Sequence, residues 1–232
     1  MRLITWEDEG LFRTVMSAAR LGRAGALIEH LGKRYAEEWD DAEAGLPYAL
    51  AMVAALQTGV LFPESAGPRQ HGTTYDELTE TLEDVLYVAP DHWLARYCRI
   101  FVRVLLPTTG GREAKFARDE HAKARADVAE LIGLQRRAPW QPYFSCAYAV
   151  AARLAAAGEY GDASAGQLIA EACDKPNGPI PFRMLGSVMC PSFIALHANP
   201  DLPERARLGT LMATLFPNEP AVTAALRGQP AR

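Results

Sequence analysis

A chain of 232 residues suits one compact domain or one short solenoid. With 49% hydrophobic and 22% charged residues it has an ordinary globular balance, which excludes disorder throughout its length. The net charge of -4 provides no positive field, which argues against a nucleic-acid partner.

Thr5 is placed to cap a first helix, with Glu7, Asp8 and Glu9 in the turn where the helix dipole favours carboxylates. Leu11, Phe12, Val15, Met16 and Ala19 form its apolar face, and Gly22 and Gly25 mark a short turn. A second helix carries Leu27, Ile28, Leu31 and Tyr35 and ends in the acidic run EEWDDAEAG. From Pro47 to Gly59 the chain is so apolar that its helix must be buried on most sides. Residues 61–73, rich in Pro and Gly, read as a loop. Thr74 to Glu77 then read as a capping box that opens a helix with Leu78, Leu82, Val85 and Leu86 inward.

After a Pro90-Asp91 break, a helix is predicted from Trp93 to Leu106. Nearly all its residues are apolar except Arg96, Arg99 and Arg103, which at about 100° per residue share one narrow stripe. A long helix of mixed charge follows from Glu113 to Leu134. The clearest hairpin runs from Tyr143 to Asp174, where small residues allow two helices to approach closely and Gly158 reverses the chain. Residues 175–179, KPNGP, end it. Beyond Pro179, Pro191 is expected to interrupt an apolar helix, residues 201–204 to open another, and Ala221–Leu226 to form the last.

The hairpin has Leu154 and small residues before Gly158, then Tyr160, Ala163 and Ala170. That spacing resembles a tetratricopeptide repeat, and residues 5–174 read as looser copies of it. The resemblance implies a single all-α domain, residues 1–232. It would be a solenoid of antiparallel helix pairs (residues 5–174) closed by C-terminal capping helices (residues 181–228). It also implies a scaffold that binds a protein or peptide segment in a concave groove.

In such a stack the arginine stripe would line the groove, because guanidinium forks suit carboxylate or phosphate groups, so an acidic partner is expected. The plainer reading pairs the stripe with the acidic helix at residues 76–84, or leaves it solvated. Ser145 and Tyr148 have the concave spacing on their own helix and complete the candidate groove of Arg96, Arg99, Arg103, Ser145 and Tyr148. The alternative function is an accessory enzyme or small-molecule binder of a bacterial metabolic pathway, with a pocket between helices near His71 or Tyr148.

No metal or other cofactor is expected, because no His stands four residues from another His or a Cys, and HExxH and P-loop patterns are missing. His92 and His121 read as surface residues beside Asp91 and Glu120. Cys98, Cys146, Cys173 and Cys190 have no CxxC spacing and read as buried free thiols. With no apolar signal at the N-terminus and no membrane span, they suggest the cytoplasm.

Overall fold

The structure, a computed structural model, describes residues 6–57, 68–105, 114–137, 142–180 and 183–228. Among the described residues the protein is all-α, with eleven α-helices, one π-helical turn and no strand. Thr5, residues 61–67 of the expected loop and Trp140 lie outside them, as do the side chains of His71, Tyr143 and Ser145. Contacts gather the described helices into two compact units.

The first unit holds α1 (Trp6–Arg20), α2 (Ala24–Glu37), α3 (Ala42–Gln57), α4 (Pro68–Val88) and α5 (Trp93–Ile100). Its centre is α3, which touches the other four helices. Leu46, Leu50, Met52 and Val53 are buried there, as an all-round apolar helix requires. α3 starts before Pro47 because Asp41 caps it: Ala44 and Gly45 donate to the Asp41 carbonyl, and the Glu43 N–H donates to Asp41 Oδ1. The acidic run is thereby split between the end of α2, a turn and the first turn of α3. α4 likewise begins six residues before the expected capping box. Pro68 takes its first position, where a missing N–H costs nothing.

Two glycines set the spacing in this unit. A Cβ on Gly45 would stand 2.7 Å from Val85 Cγ2, so α3 and α4 meet too closely for any side chain. A Cβ on Gly32 would stand 3.1 Å from the Tyr48 ring, which brings α2 down onto that ring.

The second unit holds residues 103–105 with α6 (Ala114–Arg137), α7 (Pro142–Ala156), α8 (Ala165–Cys173), α9 (Arg183–His197), α10 (Arg205–Leu215) and α11 (Pro220–Leu226). α7 is its centre and touches α6, α8 and α9. Small residues make this possible: Ala147, Ala149, Ala151 and Ala152 are fully buried. α9 continues through Pro191 rather than breaking there. The proline forfeits one backbone bond, and the buried Phe193 packs edge-on against Phe216, with centroids 5.4 Å apart.

Gly158 has the left-handed conformation expected of it, with φ +71°. The Glu159 N–H donates to the Leu154 carbonyl at 2.8 Å and the Gly158 N–H to that of Ala155 at 2.9 Å, the paired bonds of a Schellman end. Ser164 then starts α8 by exchanging side-chain and backbone bonds with Gln167. Gly158→Val is expected to lower stability by about 1–2 kcal/mol, and Gly158→Asn by less, because Asn enters the left-handed region more readily. Urea unfolding of both variants tests this; equal losses would show that the loss does not come from backbone conformation.

Candidate functional site

The arginine stripe does not persist as one exposed line. Arg96 and Arg99 lie on α5 in the first unit, while Arg103 lies in the π-helical turn Phe101–Leu105 and belongs to the second. Arg96 and Arg99 are half-buried, whereas Arg103 is buried. Its side chain is 4% exposed, and its Nε stands 3.2 Å from Glu120 Oε2 on α6. Lys123 Nζ reaches the other oxygen of Glu120 at 2.8 Å. Arg103 thus belongs to a buried ion pair with Glu120 of α6. Arg96 donates from Nη2 to the Pro90 carbonyl, closing the turn before its own helix.

Tyr148 is not an open-groove residue either, because its ring is fully buried in α7. Its hydroxyl donates to Glu171 Oε1 at 2.7 Å. Arg136 grips the same carboxylate with two bonds of 3.0 Å, and Lys175 Nζ stands 3.7 Å away. The Arg136 bonds, helped by Tyr148 and Lys175, hold the Glu171 carboxyl down at about 2 against its partial burial. A lowered pKa stabilises the fold above the unfolded value of 4.5, and that stability is lost as pH falls toward 2. Because the group is partly solvated, we expect about 1–2 kcal/mol. Unfolding of wild type and Glu171→Gln from pH 5 to pH 2 tests it. The wild-type advantage should fade over that range, and a constant difference would refute the linkage.

Two histidines differ from their expected surface roles. His92 is buried and caps α5, its Nδ1 accepting from the Ala95 N–H at 3.4 Å. His121 pairs through Nδ1 with Glu159. Of the cysteines, Cys98, Cys146 and Cys190 are buried free thiols and Cys173 is half-buried. Burial pushes the Cys146 and Cys190 thiols far up, which removes them as nucleophiles at neutral pH.

A cleft of about 480 Å³ lies in the first unit between α2, α3 and α4. Tyr35 and Tyr48 stack at its base, centroids 5.8 Å apart and planes 29° from parallel. Tyr35 donates to Asp84, and Tyr48 donates to Glu77 at 2.5 Å. Burial first, and then these carboxylates, raise both phenols, so the rings stay neutral and act as donors. Glu29 and Glu80 also line the cleft, and the one cation among its described lining residues, Lys33, is held by Glu29 at 2.8 Å. Glu77, Glu80 and Asp84 remain without a cationic partner among the described residues. Sequence reasoning placed these acids on the polar face of α4. It could not pair them with Tyr35 and Tyr48, which come from other helices.

A second cleft, of about 350 Å³, lies in the second unit beside Cys173, Lys175, Asn177 and Arg207. Its charges are compensated: Lys175 faces Glu171, and Arg207 bonds Asp174 at 2.6 Å and Glu204 at 3.2 Å. Among the described residues there is no group of three or more His, Cys, Asp or Glu side chains that could hold a metal ion, and no helix long and apolar enough to cross a membrane. No protein-family model, curated protein or solved structure matches this chain.

Proposed function

We propose that the protein is a helical scaffold that binds a protein or peptide segment. The cleft between α2, α3 and α4 carries this reading. It combines a stacked tyrosine pair, fixed in place by two carboxylates, with further charge that the described residues leave uncompensated. Groups so ordered suit recognition, which needs preset donors and acceptors on a rigid frame. The finer kinship with tetratricopeptide-like helix pairs is part of the proposal. It is supported by the way α1, α3 and α5 touch in succession, while α2 and α4 pack against their neighbours. Free thiols suit a reducing compartment, so we place the scaffold in the cytoplasm.

Ala36 lines the same cleft from α2 and is exposed, so a large side chain there blocks the cleft without entering the core. The test is capture of partners from the native cell with wild type and Ala36→Trp, followed by titration of the purified partner. The variant should keep its melting temperature and lose the partner. Equal binding by both would exclude this cleft. A small-molecule binder is the second reading, favoured by the cleft beside Lys175 and Arg207. A ligand that still stabilises Ala36→Trp and is lost in Lys175→Ala would select it.

A further inference from the structure

The charge in the α2–α4 cleft continues beyond it. Glu77, Glu80, Asp84 and Tyr87 follow one another on α4 at spacings of three and four, so they form one stripe along the helix. The stripe spans about 15 Å, at about 1.5 Å per residue, which exceeds the reach of a single ammonium group. It ends on Tyr87, which is 84% exposed, with Val88 beside it. Gly45 faces both Val85 and Tyr35, so the turn from α2 to α3 lies at this same end of the unit. That turn presents Trp39, 61% exposed, among the exposed Glu37, Glu38, Asp40 and Asp41. Two exposed aromatic rings thus lie at one end of the unit, each beside exposed carboxylates.

We propose that this surface docks a basic segment of a partner protein, with a Lys or Arg side chain in the cleft and an apolar residue against Tyr87 and Trp39. The proposal rests on the binding reading above and adds the partner's chemistry. Charge complementarity decides it. Glu77, Glu80 and Asp84 have no cationic partner among the described residues, and a guanidinium or ammonium group would supply one while its aliphatic stem covers the tyrosines. Cation–π attraction to the exposed rings favours the same guest. A metal ion fits less well. The tyrosine hydroxyls already occupy Glu77 and Asp84, and among the described residues no group of side chains is placed to hold a metal.

The full chain is titrated with short labelled peptides of equal length, carrying Leu with Lys and Arg, Leu with Gln, or Leu with Glu, and read by fluorescence anisotropy. The basic peptide should bind, and added salt should weaken it. Glu80→Lys should weaken binding by about tenfold or more, and Tyr87→Ala by several-fold, with unchanged melting because both side chains are exposed. Basic-peptide binding that ignores both substitutions overturns the proposal. Preference for the neutral or acidic peptide, abolished by Ala36→Trp, also overturns it but leaves the cleft as a binding site. Spermidine binding as tightly as the peptide, unaffected by Tyr87→Ala, would replace it with a small-amine site. Failure of all three peptides overturns it, while capture with Ala36→Trp separately decides the broader reading.

Discussion

Replacing Arg103 by Met is expected to lower stability by about 3–5 kcal/mol, the range for breaking a buried ion pair by removing one member. The guanidinium and the Glu120 carboxylate are each about 95% buried, being 4% and 5% exposed. Without Arg103, the buried Glu120 carboxylate loses a buried cation. Lys123 and the other groups around Glu120 compensate in part; the Lys123 side chain is 58% exposed and its attraction is screened by water, so the loss should fall toward the lower end of the range. The double variant Arg103→Met with Glu120→Leu should recover most of it, since two apolar residues of similar volume replace a buried pair at little cost. Urea unfolding of the single and double variants measures both. A single-variant loss below about 1 kcal/mol, or a double variant no more stable than the single, would show that the pair is hydrated in solution. Partner binding by the refolded single variant should be unchanged, because Arg103 faces Glu120 rather than a groove.

Local features of the fold were legible because their causes are local. Gly158 stops α7 through its own conformation, and the bonds that close the turn lie within six residues. The apolar runs that make α3 and α7 central likewise declare their burial without reference to a partner. What failed depended on register or on distant partners. Arg103 has helical spacing from Arg99 in sequence, but its side chain is buried beside Glu120 of α6, a distant partner that spacing alone does not reveal. The first turn of α3 was hidden because Pro47 suggested a start, whereas Asp41 supplies the cap upstream. The cleft was the least legible feature. Tyr35 meets Asp84 across 49 positions, and Tyr48 meets Glu77 across 29, so only packing could reveal that two aromatics and two acids form one surface.

Tyr148 separates a residue that supports the fold from one that binds. Its ring is fully buried at the centre of α7, so Tyr148→Ala should cost about 3–5 kcal/mol, as expected when a core aromatic leaves a cavity. Tyr148→Phe keeps the ring and removes only the bond to Glu171. A hydrogen bond to a charged group contributes about 1.5–3 kcal/mol. Here Glu171 is partly exposed and keeps both bonds to Arg136, so about 1–2 kcal/mol is expected. The Phe variant should also shift the acid transition, because one of the groups that holds the Glu171 carboxyl down is gone. Its pKa then rises toward 4.5, and the stability that depends on its charge is lost at a higher pH than in wild type. Combining Tyr148→Phe with Glu171→Gln should give less than the sum of the two losses, since both remove the same contact. Binding of the partner at neutral pH should survive in Tyr148→Phe, whose only lost group points to Glu171 in the second unit. A Tyr148→Ala protein that melts like wild type yet loses its partner would reverse this assignment and return the ring to an open groove.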